Sequence, residues 1–335
     1  MPIPLYFFSG MPWGESDAAP ASAGSAVYGE PLDECVACGG KNLRFWRTKR
    51  YRYTHGDSVE AFRIWRCSDC GTGFLNRPPH ADWLKTIYQY SGQALTRPVT
   101  AADILAREAK FPNITADAAR MARGADRFNA SGNRRALDIG SGFGFYTQAL
   151  RKEGYRTVGI NPGKYENAVF KELNGDEPIP LMFESFQDPE PYGVVMMSQV
   201  LEHLLDPERA VKKVSRLLAP GGVLACAVPN FESFAVKLLG TRDNACLWVP
   251  EHVSYFTGKG LQVLLERSGF NVMHMEQVTR IQPNALSKRI NGGEILSSFL
   301  ESLVMNLQEP FSRVVNSLGM GTYISVYAVK PRNGS

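Results

Sequence analysis

The spacing of apolar and polar positions changes along the chain. Residues 31–80 alternate aromatic and polar side chains, as in RFWRTKRYRY and EAFRIWRC, which predicts short hairpins. Residues 81–130 show helical spacing, with Trp83 and Leu84 on one helix and a second helix running through ADILAREAK and ADAARMARGADRF. From about residue 135 strand and helix patterns alternate, which predicts βαβ units and a parallel sheet.

These patterns divide the chain into four parts. Residues 1–30 are rich in Ala, Gly, Ser and Pro, which predicts a flexible, loosely draped arm. We expect residues 31–80 to form a zinc-binding ribbon and 81–130 a helical linker or lid. Residues 131–335 form an α/β domain with a helical insert at about 280–318. The fold class expected is therefore α/β, a doubly wound sheet with a small N-terminal module.

Two Cys-x-x-Cys pairs, each followed by glycine, lie in the ribbon. Their pattern, Cys35-x2-Cys38-x28-Cys67-x2-Cys70, is typical of two zinc knuckles. Four thiolates leave no open coordination position, so we expect the zinc to be structural. A redox Cys-x-x-Cys motif is the alternative, but the second matched pair and the lack of a neighbouring βαβ pattern argue against it.

Charge and hydropathy limit the functional classes. The 335 residues carry a net charge of +4, with a basic stretch at 41–52 that interleaves Lys and Arg with aromatic residues. Such a stretch suits nucleic acid or phosphate, and a solvated loop is the alternative. No apolar run reaches the roughly 18 residues of a membrane helix, and the first residues lack the basic start of a signal peptide. We expect a cytoplasmic protein without membrane insertion.

A glycine-rich turn follows the first strand of the α/β domain. RALDIGSGFGFY contains Gly140, Gly142 and Gly144, which allow a sharp turn and a close approach to a ligand. The spacing departs from the dinucleotide fingerprint G-x-G-x-x-G, because Phe145 takes the place of the last glycine. The next strand, YRTVGI, ends at Asn161, where such folds place the group that binds a ribose.

Four segments occur in the order found in the class I S-adenosylmethionine-dependent methyltransferase superfamily: LDIGSGFG, SQVLEHLLDP, APGGVLACAVPN and EHVSYFTGKGLQVLLERSGF. The chain resembles bacterial members with an N-terminal zinc ribbon that act on sugars and other specialised small molecules. The resemblance spans residues 35–275. It implies a doubly wound Rossmann-like methyltransferase sheet, a zinc ribbon with four cysteine ligands, and S-adenosylmethionine as the methyl donor.

The resemblance also implies a set of donor-binding residues: Asp138, Gly140, Ser141, Gly142 and Gly144 at the turn, Asn161 at the ribose, Phe183 at the adenine and Gln199 near the sulfonium. Asn161 departs from the family pattern, since relatives usually have Asp or Glu there to accept both ribose hydroxyls. An amide has one acceptor oxygen beside two donors. We therefore expect weaker donor binding or a compensating acid. For Phe183, packing in the core is the alternative.

An alcohol acceptor needs a base to take its proton, and histidine is the usual choice. His252, in LWVPEHVSYF after the fifth strand, is the first candidate and His203 the second. A histidine that only tethers its loop is the alternative. Aromatic residues expected to line the acceptor pocket are Tyr88, Tyr90, Trp248 and Tyr255, with core packing as the alternative.

The segment from Gln199 to His203 raises the question of a second metal. In some relatives from quinone synthesis this stretch reads Glu-x-x-Glu-His, and it resembles a binding site for a divalent ion. Gln199 replaces the first Glu here, which removes a charged ligand from a hard-cation site. We expect Glu202 and His203 to shape the turn by hydrogen bonding instead.

The favoured function is O-methylation of a small molecule or glycan with a histidine general base. RNA methylation through the basic ribbon is one alternative. Against it, the chain has SQVLEH at the position where enzymes that methylate the amino groups of nucleic-acid bases have a motif such as Asn-Pro-Pro-Tyr. C-methylation and donor binding without turnover are the others. The insert near 280–318 would cap the acceptor pocket or form a homodimer contact.

Overall fold

The computed structural model describes residues 28–52, 59–84, 100–110, 113–241, 246–279 and 309–332. Its strands, in chain order, are β1 (Leu43–Arg52), β2 (Val59–Cys67), β3 (Gly73–Leu75), β4 (Arg135–Ile139), β5 (Arg156–Ile160), β6 (Tyr192–Ser198), β7 (Leu218–Pro229), β8 (Ser254–Tyr255), β9 (Asn271–Val278) and β10 (Tyr323–Val329). They form a six-stranded and a four-stranded sheet.

Seven α-helices lie wholly within the described residues: α1 (Ala101–Lys110), α2 (Ile114–Phe128), α3 (Phe145–Lys152), α4 (Lys164–Asn174), α5 (Pro207–Leu217), α6 (Phe234–Leu239) and α7 (Gly258–Arg267). Two short 3-10 helices, Phe183–Ser185 and Leu201–His203, lie there as well. Residues 81–84 and 309–317 are also helical and adjoin segments outside the described ranges. Among the described residues, no helix combines the length and apolarity needed to cross a bilayer.

The larger sheet has the order β5-β4-β6-β7-β10-β9. Strands β5, β4, β6 and β7 run parallel, and β10 pairs antiparallel with both β7 and β9. Helices cover both faces of this sheet, so the central strand β6 is buried from Tyr192 to Met197 and reads as a continuous apolar run. The doubly wound α/β class is therefore confirmed.

Local sequence explains where helix α5 begins and which face it buries. Asp206 caps the helix by accepting a hydrogen bond from the Arg209 N–H at 2.9 Å, and Pro207 occupies the first helical position. Apolar residues recur at helical spacing and are buried against the sheet: Ala210, Val211, Val214 and Leu217. The amphipathic pattern thus places the chain back on the sheet before β7.

The helix expected to run through ADILAREAK and ADAARMARGADRF is two helices, α1 and α2. The first ends at Lys110 and the second begins at Ile114, and the sequence between them contains Pro112. Proline lacks an N–H and disfavours helical geometry at the residue before it. The prediction of one helix was therefore wrong at this point.

The four-stranded sheet joins the ribbon to the α/β domain. Its order is β1-β2-β3-β8, and β8 comes from the chain after β7. Gly73 and Phe74 of the ribbon pair with Tyr255 and Ser254 of the domain. Across the same boundary Trp46 packs edge-on against Phe231, with ring centroids 5.0 Å apart. The ribbon is therefore built into the domain rather than attached in front of it.

Candidate active site

The glycine-rich turn is held between strands β4 and β5. Gly140 and Ser141 both donate their N–H to the Ile160 carbonyl, at 2.9 and 3.1 Å. Gly140 and Gly142 have positive φ angles of 68° and 52°. A Cβ on Gly140 would lie 2.5 Å from the Val200 side chain, whereas one on Gly142 would meet no atom closer than 3.9 Å. Glycine is therefore required at 140 both for its conformation and for space.

A cavity of about 360 Å³ opens beside this turn, at the carboxyl ends of β4, β5 and β6. Ligands bind at this edge of open α/β sheets. Nine of the residues named from the sequence line the cavity: Gly140, Ser141, Gly142, Asn161, Phe183, Gln199, His203, Trp248 and His252. The structure thus brings both candidate histidines to the same cavity as the glycine turn.

Three other residues named from the sequence are not among those lining the cavity. Gly144 lies where a Cβ would overlap Asn174 and come within 2.7 Å of Phe170. Tyr255 is 1% exposed, and its hydroxyl donates to the His252 carbonyl at 2.8 Å. The role of Tyr255 in this structure is to hold the loop, which corrects the expectation that it lines the pocket. Tyr88 and Tyr90 lie outside the described residues.

Asp138 does not line the cavity either, and it lies behind the glycine-rich turn. It is fully buried and accepts a hydrogen bond from the Thr147 hydroxyl at 2.7 Å. Burial raises the pKa of its carboxyl to about 7, against the opposing effect of that hydrogen bond. Asp138 therefore ties the end of β4 to helix α3 and shapes the turn from behind.

Gln199 adopts a strained conformation just after β6. Its φ is +57°, the left-handed region that residues other than glycine rarely occupy. The Ala227 carbonyl holds it there by accepting from the Gln199 backbone N–H at 2.8 Å and from Nε2 at 3.3 Å. Strain of this kind is found at functional sites, where surrounding contacts maintain it.

Phe183 combines the two roles considered for it. Its side chain is 5% exposed and belongs to the hydrophobic core, yet it also lines the cavity. The Lys213 ammonium lies 4.8 Å from its ring centroid and donates to the Phe183 carbonyl at 2.7 Å. The ring is thus fixed in position at the cavity wall.

One ring nitrogen each of His203 and His252 and one carboxyl oxygen of Glu202 lie within 4.8 Å of one another. The Nδ1 atoms of both histidines lie about 3 Å from backbone carbonyls, those of Glu251 and Cys246. A carbonyl only accepts, so Nδ1 carries the proton and Nε2 keeps the lone pair in each neutral ring. The His252 Nε2 lies 4.0 Å from the Glu202 carboxyl.

Burial favours the neutral form of every group in this cluster. It raises the pKa of Glu202 to about 8 and lowers the pKa of His203 to about 4. The pKa of His252 falls well below its usual range, through burial first and then through the nearby His203. At neutral pH Glu202 and His252 are therefore both uncharged, and their 4.0 Å approach is not an ion pair.

The expectation that Glu202 and His203 shape the turn by hydrogen bonding is met only by the histidine. His203 bonds the Glu251 carbonyl, whereas neither carboxyl oxygen of Glu202 has a hydrogen-bond partner among the described residues. The Glu202 backbone does act on the turn, because its carbonyl accepts from the Val253 N–H at 2.9 Å. The buried carboxyl is therefore available to the two imidazoles.

The segment that carries His252 is supported by the ribbon. Lys49 of β1 donates to the Leu247 carbonyl at 2.7 Å, and the Leu75 N–H donates to the Val253 carbonyl at 2.9 Å. These contacts bracket Trp248 and His252, the two cavity residues of the segment. The ribbon therefore positions one wall of the cavity.

A partly buried chain of polar side chains, which the sequence did not indicate, also reaches the cavity. The Ser198 hydroxyl donates to the Tyr146 oxygen at 2.9 Å, and Tyr146 donates to Asp117 at 2.6 Å. Asp117 in turn pairs with Arg120 at 2.6 Å. Ser198 and Tyr146 line the cavity. The only sequence signal was the position of Tyr146 beside the glycine turn.

The four ribbon cysteines have the geometry of a zinc site. Sγ distances of 3.6 Å separate Cys35 from Cys70 and Cys38 from Cys67. Zinc with four sulfur ligands at about 2.3 Å would set the edges of the tetrahedron at about 3.8 Å. Two backbone N–H groups, of Gly40 and Asp69, point at the Cys38 and Cys67 sulfurs from 3.4 Å. The donor set therefore fits one tetrahedral zinc ion.

The family model of the methyltransferase domain matches residues 103–275. The ubiquinone biosynthesis O-methyltransferase of Bradyrhizobium diazoefficiens is 26% identical over 139 residues, covering 39% of this chain and 54% of the relative. The Aeromonas salmonicida enzyme of the same name is 25% identical over 158 residues, covering 43% and 66%. An S-adenosylmethionine-dependent methyltransferase structure from Mesorhizobium loti aligns with a TM-score of 0.41 and 17% identity, covering 60% and 92%.

The match to the curated relatives is partial. The matched part of the chain spans 54% of the length of one relative and 66% of the length of the other. The residues matched by the family model include the glycine turn and the cavity wall formed by β4, β5 and β6. The resemblance identified from the sequence is thereby confirmed at the level of the domain.

Proposed function

This chain belongs to the methyltransferase domain family, and on that basis we propose that it transfers a methyl group from S-adenosylmethionine to a hydroxyl of a small-molecule or glycan acceptor. When bound, the donor supplies a methyl group on a sulfonium, which the acceptor oxygen takes while a neutral thioether is left. The residues of this chain bind the donor, align the acceptor, exclude water and remove the hydroxyl proton.

The donor fits the cavity wall made by the turn. The open space over Gly142 and the close packing of Gly140 leave a smooth surface that a larger side chain would fill. Asn161 lines the cavity with an amide whose oxygen is an acceptor, and Phe183 lines it with an aromatic ring. These features match the ribose and adenine of the donor.

His252 is the observation that best supports an oxygen acceptor. Its Nδ1 is held by the Cys246 carbonyl, so the neutral ring keeps its Nε2 lone pair for a proton. The imidazolium formed by proton uptake would lie about 4 Å from the Glu202 carboxyl, which is protonated at neutral pH. We propose that His252 Nε2 accepts the hydroxyl proton and that a carboxyl oxygen of Glu202 accepts a hydrogen bond from the N–H formed in this way.

Two further features favour a small acceptor with a hydroxyl. The ribbon contributes its contacts to the loop around His252, which gives it a supporting role without nucleic acid. The two curated relatives are named for O-methylation in ubiquinone biosynthesis, which supports an oxygen acceptor.

The acceptor class can be tested by incubating the protein with methyl-labelled S-adenosylmethionine and a bacterial extract, then separating small molecules, glycans, RNA and protein. We expect label in the small-molecule or glycan fraction. Label in RNA would replace this proposal with RNA methylation through the basic ribbon. Absence of label in every fraction, with donor binding intact, would support binding without turnover.

The base can be tested with the acceptor found in that way. We expect His252→Gln to lower kcat by about 10²- to 10⁴-fold, the usual contribution of a general base, with affinity for S-adenosylhomocysteine close to that of wild type. His274→Gln is the matched control, because His274 lies on β9 and is exposed. Full activity of His252→Gln would transfer the role to His203 or to water.

A further inference from the structure

The side chain of Asn161 forms its hydrogen bonds within the segment that follows β5. Its Nδ2 donates to Asn167 at 2.8 Å and to the Gly163 carbonyl at 3.3 Å, while Asn167 donates back to the Asn161 carbonyl at 3.0 Å. The side chain thus closes the loop with both of its donor hydrogens. An amide placed in this way carries no negative charge to attract the two neighbouring hydroxyls of a ribose.

A carboxylate lies beside this amide. Glu166, on the first turn of α4, folds back over Gly163, where a Cβ would overlap its Oε2 and lie 3.3 Å from the Asn161 Nδ2. Glycine at 163 therefore leaves the space that the carboxylate occupies. Asn161, Gly163 and Glu166 all line the cavity, together with Gly140 and Gly142 of the turn.

We propose that Glu166 supplies the charged acceptor for the ribose hydroxyls of the donor, while Asn161 holds the loop that positions it. A carboxylate accepts from two hydroxyls at once, and hydrogen bonds to a charged acceptor are stronger than those to a neutral amide. The cavity thereby regains an acid a few residues after the end of the strand, on a helix instead of on the strand itself. This inference rests on the donor of the proposed function and is independent of the acceptor.

Helix capping is the competing role for Glu166. Gly163 is the N-cap of α4, so Glu166 is the third helical residue, from which a carboxylate can reach back to the N-cap N–H. Gln at this position also caps a helix. The substitution Glu166→Gln therefore removes the charge while keeping the capping group.

The test is calorimetric titration of S-adenosylhomocysteine and its 2′-deoxyribose analogue into wild type, Glu166→Gln, Asn161→Asp and the double variant. We expect Glu166→Gln to weaken binding of the ribose ligand by about 10- to 100-fold and to lose most of the preference for it over the deoxy analogue. In the Glu166→Gln background, Asn161→Asp returns an acid to the strand end and should recover most of the affinity.

Two results would overturn the proposal. The first is binding of the ribose ligand by Glu166→Gln with the affinity of wild type. The second is an equal loss for both ligands, together with a lower melting temperature, which would assign Glu166 to capping alone. Failure of the wild-type protein to bind S-adenosylhomocysteine would instead remove the donor assignment, so the two failures are distinguishable.

Discussion

Individual residues decide the shape and charge of the cavity. Gly140 and Gly142 occupy left-handed conformations, but only Gly140 also lacks space for a side chain. Glu202, His203 and His252 are ionisable groups that burial keeps neutral. Substitutions at these positions separate the contribution of space from that of charge.

The first residue-scale prediction concerns Gly142. We expect Gly142→Arg to abolish binding of S-adenosylhomocysteine, because the side chain would enter the cavity that Gly142 lines. Gly142→Ala is the control: the left-handed conformation costs a non-glycine residue about 1 kcal/mol, but one methyl group would meet no atom closer than 3.9 Å. Isothermal calorimetry on both variants checks this, and tight binding by the Arg variant would place the donor elsewhere.

The second residue-scale prediction concerns the contribution of Glu202 to the pH dependence of stability. Its folded pKa of about 8 exceeds the ordinary value of 4.5, so the folded state binds this proton more tightly. Its contribution to the free energy of unfolding is full below pH 4.5 and declines as pH rises to about 8. Glu202→Gln should remove a slope of up to about 1.4 kcal/mol per pH unit.

Denaturant unfolding of wild type and Glu202→Gln at several pH values between about 5 and 8.5 measures that slope. Glu251, His203 and His252 titrate in both proteins, so the difference between the two curves isolates position 202. Parallel curves would mean that Glu202 is not protonated in the folded protein.

At the scale of elements, the ribbon and the loop after β7 act as one unit. Thr257 shows this most clearly, because its hydroxyl caps α7 by accepting from the Gly260 N–H at 3.0 Å and donates to the Cys70 carbonyl at 2.7 Å. Lys259 adds a bond to the Asp69 carbonyl at 2.7 Å. The second cysteine pair, Cys67 and Cys70, is thus connected directly to a helix of the α/β domain.

The prediction at this scale uses Thr257. Thr257→Val keeps the shape of the buried side chain but removes both hydrogen bonds, and we expect it to lower the free energy of unfolding by about 1–2 kcal/mol. Thr257→Ser retains the hydroxyl and should lose less than half of that amount. Equal losses for the two variants, measured by urea unfolding, would show that packing and not the hydroxyl is responsible.

At the scale of the whole molecule, one buried hydrophobic cluster extends from the proposed zinc site into the α/β domain. Cys35, Cys67 and Cys70 belong to the same buried cluster as Leu137 and Ile139 of β4. Removing a proposed metal from this cluster would therefore affect the α/β domain as well. A ribbon attached by a linker would unfold without that consequence.

We expect one zinc ion per chain by elemental analysis and a single cooperative thermal transition in which zinc release and loss of the large sheet coincide. Cys35→Ser should lower both the zinc content and the melting temperature. Two separated transitions would show that the ribbon folds independently, and a metal-free wild type with unchanged stability would remove the zinc assignment.

The sequence alone determined the features that depend on near neighbours. The alternation of strands and helices follows from the spacing of apolar residues, the turn at Gly140 from glycine at required φ angles, and the four-cysteine cluster from two-residue spacing. Each of these rests on residues close together in the chain. The break before α2 was missed although Pro112 signalled it, because the apolar period continued on both sides.

Only the tertiary structure decided the contacts between distant segments. The pairing of β3 with β8 makes the ribbon a support for His252, and no local pattern specifies a partner so far along the chain. The same holds for the approach of Glu202 to His252 and for the burial that makes both neutral. Glu166 is close to Asn161 in the sequence and could have been considered as the acid that binds the ribose. Its position over Gly163, however, depends on how α4 packs against the sheet.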